Sequence, residues 1–393
     1  MLIGIDVGGT YTDGVVFDNN SVLKAVKKPT NDAHLQDTLL QVLDELLEGI
    51  NRDEIERIVF STTLVTNLLA TGGGERTALM LITGQGLPRQ AYDICPDTYF
   101  LKGSIDFRGR MVEPLDKNEV LKALEDIERQ GIKKLAIAAK FSNRNDSLEK
   151  EIRQMALDKF PNLEVAIGCE TAGQLNFPRR AVTTYYTAMT MSRWNKFVEE
   201  MQKALQERNI NVEIDILKAD GGTMLLETSR QRPCETVFSG PAASTMGAAA
   251  LTMDKKNSVV IDIGGTTTDI SLIIEGEPLY ASKGANINGQ YTHIHSFAVR
   301  SVALGGDSNI SFNQGVLQVG PQRQGEAACF GGAGATATDA FNYKYNLGIG
   351  NPDLSRAKLE EKARTANMSC EELSSRVVEV FIARLEKNIS AMF

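Results

Sequence analysis

Two short stretches hold the residues of this sequence best suited to chemistry. Residues 5–13 read IDVGGTYTD and residues 261–269 read IDIGGTTTD, so seven of nine positions repeat at an offset of 256 residues. Each copy ends one β-branched apolar run and opens another, the pattern of a strand, a glycine turn and a returning strand. Gly8-Gly9 and Gly264-Gly265 are free to take φ > 0 and turn the chain sharply, and a turn without side chains leaves backbone N–H groups bare for a phosphate. Thr10 and Thr12, with Thr266, Thr267 and Thr268 in the second copy, add hydroxyl donors. Asp6 and Asp262 stand just before the glycines, where a carboxylate beside a phosphate needs a cation between them. Hydrated Mg²⁺, bound through one or two carboxylates and phosphate oxygens, meets that need. Asp13 and Asp269 lie past the turn and could either serve the ligand or bond the turn backbone.

One such copy is an ordinary β-turn. Two copies with the same flanking chemistry read as half-sites for a single phosphate-bearing ligand. Neither contains the GK[ST] of a Walker loop. Neither has GxGxxG spacing, and a strand rather than a helix follows the glycines.

The elements that position these hairpins are α/β in pattern. Leucines at helical spacing from Asp32 to Glu48 predict a helix, Ile55–Phe60 a strand, and Ser61–Asn67 a hydroxyl-rich segment entering a short helix. Residues 71–74 read as a loop and Thr77–Thr83 as a buried strand. Residues 88–115 read as irregular. Helices over 117–130 and 146–159 alternate with strands over 134–141 and 163–168, which implies parallel strands with helices on their faces. Pro178 sits well for the first turn of a long helix reaching Arg208. Strand 212–218 ends at Asp220-Gly221-Gly222, and strand 298–304 ends at Gly305-Gly306-Asp307, two further glycine turns. Between them, residues 239–250 form a helix of small side chains, suited to a close crossing between domains or to tight packing in one core. Ser369 and Glu372 are spaced as a capping box. The helix that follows keeps its apolar spacing nearly to the last residue, as in a truncated second domain.

The chain has 393 residues, 42% hydrophobic, and a formal net charge of −8, a composition for two or three globular domains. An acidic chain without basic clusters argues against nucleic acid as the main partner. No apolar run reaches the ~18 residues of a membrane span, and no basic-then-apolar leader opens the chain. Five scattered cysteines without a CxxC pair fit reduced thiols in the cytoplasm. His293-Ile294-His295 would put two imidazoles on one strand face, either as metal ligands or as an exposed polar face.

Two hairpins across two α/β halves resemble the actin-like ATPase superfamily, with its ribonuclease H-like domains and interdomain nucleotide cleft. In order along the chain, GIDVGGTYTD, STTLVTNLLATGGGERTALMLITGQGL (61–87), RRAVTTYYTA (179–188), ADGGTM (219–224) and SGPAASTMGAA (239–249) resemble the hydantoinase A/5-oxoprolinase family over about residues 1–345. That resemblance implies an N-terminal domain over 1–237 with an α/β insertion over about 75–180, and a second domain over 238–393. It implies an enzyme that couples ATP hydrolysis to opening a cyclic imide or lactam of hydantoin or 5-oxoproline type, by phosphorylating a ring carbonyl oxygen. Gly8, Gly9, Thr10, Thr12, Asp13, Gly264, Gly265, Thr266, Thr267 and Asp269 would bind phosphate. Asp6 and Asp262 would hold Mg²⁺ or orient the attacking group, and Gly221, Gly222, Gly305 and Gly306 would approach the nucleotide from the other side. Thr62, Thr63 and Asn67 would face the substrate, their alternative being a helix cap. A partner subunit of hydantoinase B type is implied, and a homo-oligomer is compatible. The family's His-Gly before the two threonines is Phe60-Ser61 here, and its late GGGS turn preceded by His-Thr is LGGDS preceded by Arg300-Ser301. A kinase acting on another small metabolite and an actin-like scaffold ATPase are the competing readings.

Overall fold

The computed structural model describes residues 1–31, 35–70, 73–86, 88–252 and 255–392. The expected helix start at Asp32, residues 71–72 of the expected glycine loop, and His34 lie outside the described residues. The chain forms two compact units. One comprises Met1–Gly8, Thr12–Ala243 and Tyr280–Phe297; the other comprises Gly9–Tyr11, Ser244–Leu279 and Ala298–Phe393. The division therefore falls inside the small-residue helix rather than at 237/238. Tyr280–Phe297, expected in the second domain, packs with the first unit.

In the first unit, β1 (Leu2–Val7) pairs antiparallel with β2 (Tyr11–Asp18). Asn19 and Asn20 then turn at φ 45° and 62° into β3 (Ser21–Pro29), the double positive φ of a tight hairpin. Helix α1 (Leu35–Leu47) leads to β4 (Arg57–Thr62), which runs parallel to β1, and α2 (Leu64–Ala70) follows. The insertion supplies β5 (Thr77–Ile82), β6 (Thr98–Phe100), α3 (Lys117–Arg129), β7 (Lys134–Ala139), α4 (Ser147–Lys159) and β8 (Glu164–Ile167). Its sheet has the order β8-β7-β5-β6 and is parallel throughout. Every residue of β5 and β7 is buried, as expected of strands covered by helices on both faces. The stretch expected to be irregular includes β6 and two further short strands, Ser104–Ile105 and Met111–Glu113.

Helix α5 (Phe177–Glu207) starts at an Asn176 cap and carries Pro178 in its first turn. After it come β9 (Ile214–Leu217) and β10 (Thr223–Leu225), completing the sheet β10-β9-β4-β1-β2-β3. One face of β1 and β2 carries Ile3, Ile5, Val7 and Val16, packed with Leu39, Val42, Leu43 and Leu46 of α1. Gly14 of β2 makes that packing close: a Cβ there would stand 2.5 Å from Val42 Cγ1 and 2.8 Å from Leu46 Cδ1.

The small-residue helix α6 (Ser239–Leu251) leads into the second unit. There β11 (Ser258–Ile263) pairs antiparallel with β12 (Thr268–Ile274), which pairs with β13 (Arg300–Val302) on its other side. The hairpin β14 (Ser308–Asn313) and β15 (Val316–Arg323) packs with α7 (Ala337–Tyr345), α8 (Pro352–Thr365) and α9 (Cys370–Ser390) around Leu304, Ile310, Leu359, Val377 and Phe381. Ser369 caps α9 by accepting from Glu372 N–H. The two β hairpins share a sequence but not an environment. β1 lies between β2 and β4, whereas β11 is an edge strand. Accordingly Val259, Ile261 and Ile263 are 39%, 41% and 53% exposed, while Ile3, Ile5 and Val7 are 1–2% exposed.

Gly14→Val is expected to lower stability by about 1–3 kcal/mol, because α1 must move off the sheet. Urea unfolding measures it, and a midpoint equal to wild type would contradict the packing.

Candidate functional site

Strand register places two carboxylates opposite each other in each hairpin: Asp6 faces Asp13, and Asp262 faces Asp269. Directly opposed residues of an antiparallel pair share a face, where like charges destabilise. The two hairpins relieve this differently. In the first, Lys27 Nζ donates to Asp13 at 2.8 and 3.1 Å, an exposed ion pair that occupies Asp13. Asp6 Oδ1 is shielded from solvent. In the second, Ser244 Oγ donates to Asp262 Oδ2 at 2.5 Å. Asp269 is held by the Ser301 hydroxyl, yet its Oδ1 is buried without a hydrogen-bond partner. Burial pushes its carboxyl above the ordinary value, with the nearby Asp262 charge adding to the rise.

The turns are accessible as expected. Gly8, Gly9 and Thr10, and Gly264 through Thr267, are exposed or half-buried. A Cβ on Gly9 would meet nothing within 4 Å. The glycines do not turn by positive φ, however: among the described residues at φ > 0, Gly221 appears, and Gly8, Gly9, Gly264 and Gly265 do not. At Gly265 the missing Cβ makes room, since it would stand 2.7 Å from Asp307 Oδ2, while the Gly264 N–H closes its own turn on Thr267 O at 2.9 Å. The threonine after each turn is also reassigned. Thr12, opposite Val7, is fully buried with its hydroxyl 3.0 Å from that of Thr30. Thr268, opposite Ile263, is fully buried and donates to Leu304 O at 2.5 Å. In both copies this hydroxyl faces inward.

The other glycine turns are spent on structure. At Asp220-Gly221-Gly222, the Gly221 N–H donates to Lys218 O at 3.1 Å and the Gly222 N–H to Asp220 Oδ1 at 3.0 Å. At Gly305-Gly306, the Gly305 N–H donates to Ser308 Oγ at 2.9 Å. The N–H groups of Gly306 and Asp307 donate to the carbonyls of Gly264 and Gly265 at 2.9 and 2.7 Å. A Cβ on Gly305 would lie 2.5 Å from Gly265 O, so only glycine lets this turn clamp the second hairpin. Asp307, buried beside it, receives Arg323 Nη2 at 2.8 Å. Burial raises its pKa against the pull of that guanidinium.

Thr62 is buried and accepts the Leu64 N–H at 3.2 Å, the cap reading of this segment. Asn67 Nδ2 lies 3.4 Å from Thr63 Oγ1 within the same helical turn. Sequence reasoning missed Ser239, whose hydroxyl is 3.0 Å from Ser61 Oγ and donates to Thr62 O at 3.2 Å. It also missed Phe238, held at φ 56° with its N–H on Thr66 Oγ1. The signal available was the hydroxyl run at 61–66 facing the Ser at the start of the small-residue helix. His293 and His295 lie in no strand: His293 is buried and His295 exposed.

In the second unit, an apolar pocket of about 160 Å³ is lined by Ile263, Gly306, Thr338, Phe341, Ile349 and Phe381. It adjoins the end of β11 and the Gly306 turn, and its walls suit a flat heteroaromatic ring. Gly306 lines this pocket while its N–H and that of Asp307 hold the hairpin carbonyls. For a divalent cation, the opposed carboxylates Asp262 and Asp269 of the second hairpin, with an unsatisfied buried oxygen on Asp269 among the described residues, are oxygen-only donors of the kind hard Mg²⁺ takes; Asp6 offers the same donor in the first hairpin. Among the described residues no group of three or more His, Cys, Asp or Glu is placed to hold a metal ion.

Comparison with known proteins gives a consistent match. Residues 180–392 match Hydantoinase/oxoprolinase, and residues 2–160 match its N-terminal region. The caprolactamase subunit alpha of Pseudomonas jessenii is 25% identical over 383 residues, covering 88% of this chain and 54% of that protein. The 5-oxoprolinase of Saccharomyces cerevisiae is 27% identical over 405 residues, covering 86% of this chain and 31% of that one. The chain thus spans about half, or less, of these relatives. A nucleotide-free acetone carboxylase structure superposes with a TM-score of 0.83 at 19% identity, over 100% of this chain and 62% of that one. The ATP-dependent caprolactamase structure gives 0.72 at 21%, over 97% and 61%. The fold is therefore the one shared with these two structures.

The raised Asp269 carboxyl has a measurable consequence. Its native state holds the proton more tightly than the unfolded chain does, so stability is lost as pH rises from the ordinary carboxylate value through the raised one. Asp269→Asn is expected to remove that loss. The variant's unfolding midpoint should gain on wild type as pH rises above the ordinary carboxylate value, and a pH-independent difference would contradict the assignment.

Proposed function

The chain belongs to the hydantoinase/oxoprolinase family, and from that premise we propose that it is the ATP-using part of a cyclic-amide hydrolase. The observation that carries this reading is the pair of hairpins in matching register, each carrying a solvent-accessible glycine turn beside an aspartate. In this reading, the backbone of Gly8-Gly9 and Gly264-Gly265, with the hydroxyls of Thr10, Thr266 and Thr267, holds the phosphates. Asp6 and Asp262 would hold Mg²⁺. When bound, the ion neutralises phosphate charge during transfer. The apolar pocket by Gly306 receives the adenine. Thr12, Thr268, Asp13, Gly221 and Gly222 leave the ligand-binding set.

The amide substrate resists hydrolysis because resonance makes its carbonyl carbon a poor electrophile. Transfer of the γ-phosphoryl group to the carbonyl oxygen removes that resonance and creates a leaving group, so the protein must mainly position and neutralise. Relatives named as subunits, such as the caprolactamase subunit alpha, support a partner subunit of hydantoinase B type that completes ring opening. Five free cysteines support a cytoplasmic setting. Among the described residues no helix is long and apolar enough to cross a membrane.

The test is ADP release in the presence of hydantoin, 5-oxoproline, ε-caprolactam and simple ketones, with and without the partner subunit. A ring amide is expected to stimulate release, and Asp6→Asn and Asp262→Asn to abolish it. Wild-type turnover in both variants would overturn the phosphate assignment.

A further inference from the structure

Three side chains of the second unit converge on Gly265. A Cβ there would stand 2.7 Å from Asp307 Oδ2 and 2.8 Å from Thr10 Oγ1, Gly9–Tyr11 being part of this unit. Arg323 Nη2 donates to that same Asp307 Oδ2 at 2.8 Å. Laid end to end, these lengths put the guanidinium within about 5.5 Å of the point where a Gly265 side chain would begin. One phosphate group, accepting charge-assisted bonds of about 2.7–2.9 Å, can touch both.

The second unit holds Arg323 in that place by several fastenings. Ser308 of β14 faces Arg323 at the end of β15, and Ser308 Oγ accepts the Gly305 N–H at 2.9 Å. The end of β15 is thereby fixed to the Gly305-Gly306 turn that clamps the second hairpin. Asp307 is the link between them. Its N–H donates to Gly265 O at 2.7 Å, while its carboxylate takes the Arg323 guanidinium and the Ala327 N–H. At 6% exposure that carboxylate needs a fixed partner, and in return it fixes the guanidinium.

An ion pair kept only for the fold accounts for Asp307 but not for the rest of Arg323. A guanidinium has five N–H donors, and the one side-chain hydrogen bond of Arg323 among the described residues uses a single nitrogen. The side chain is 33% exposed, so its remaining donors are open to a ligand. Its charge is also the one this place lacks. Asp262 and Asp269 stand on the strands either side of the turn, Asp307 lies against it, and Glu326 adds its charge nearby.

We infer that Arg323 is a phosphate-binding residue of the second hairpin: its Nη2 stays on Asp307 while the spare donors take oxygens of a nucleotide β- or γ-phosphate lying on the Gly265 turn. Asp307 is the positioning residue that aims it. The inference rests on the proposed use of ATP and adds to that site a residue that no spacing in the sequence marks. A planar fork suits the task, because it holds a carboxylate on one edge and a phosphate on another, which an ammonium does not.

Calorimetric titration of the whole chain with ADP, inorganic pyrophosphate and adenosine at fixed Mg²⁺ tests it. Arg323→Gln should weaken ADP and pyrophosphate binding at least tenfold and leave adenosine affinity unchanged, a split that a purely structural role would not produce. Arg323→Lys should recover part of the loss, since it restores the charge without the fork. Arg323→Gln leaves Asp307 buried and unpaired, so Asp307→Asn combined with Arg323→Gln controls for folding. That double variant should keep the wild-type thermal midpoint and still bind ADP at least tenfold more weakly. Unchanged ADP affinity in Arg323→Gln and the double variant, or equal loss of ADP and adenosine, would overturn the inference while the use of ATP stands. Absence of ADP binding to wild type would overturn both. Arg323-dependent ADP binding without ring-stimulated ADP release would leave the role of Arg323 standing without the cyclic-amide function.

Discussion

Placing two carboxylates directly opposite one another on adjacent strands is unfavourable, and this chain does it twice. Asp6 faces Asp13, and Asp262 faces Asp269. The first pair is eased by Lys27 on the outer member, which leaves Asp6 as the aspartate next to the turn. The second has no lysine among its hydrogen-bond partners. It relies on the hydroxyls of Ser244 and Ser301, and leaves one Asp269 oxygen buried and unpaired. A divalent cation is the natural complement to such a pair, and the bare glycine turn beside it is the natural place for phosphate. Much of the surrounding architecture serves to hold these two turns.

The duplicated hairpins have been fitted differently into their surroundings. Where the first copy has Gly14, the second has Ile270, because α1 lies tight against β2 and needs the missing Cβ. β1 is flanked on both sides, whereas β11 keeps an apolar edge in the open. The second turn is clamped by Gly306 and Asp307 through its own carbonyls, and its Gly264 N–H closes the turn on Thr267 O at 2.9 Å. Inward-facing Thr12 and Thr268 do the same for the returning strands. Rigid turns of this kind bind phosphate without ordering cost at the moment of binding.

Both hairpins are legible from spacing alone, since an apolar run, GGT and a second apolar run admit few other structures. The alternating helices and strands of the insertion are legible for the same reason. What spacing hides is direction. Thr12 and Thr268 look like phosphate donors until strand pairing sets them opposite Val7 and Ile263 on the core face. Gly221-Gly222 looks like a phosphate turn until Asp220 and Lys218 take its amides. His293 and His295 look paired until the segment proves not to be a strand, which buries one and exposes the other. The division within α6 and the return of Tyr280–Phe297 depend on long-range contacts, and no local pattern announces them. Residue types mark the glycine turns, and tertiary pairing decides which neighbouring side chains face the core.

The central claim is that Asp6 and Asp262, and not Asp13, supply the cation for phosphate held by the two turns. Calorimetric titration with ADP at fixed Mg²⁺, and again with the metal chelated, tests it most directly. The account predicts Mg²⁺-dependent binding that Asp6→Asn and Asp262→Asn each weaken at least tenfold and that Asp13→Asn leaves near wild type. Equal loss in all three variants, or binding indifferent to Mg²⁺, would contradict it.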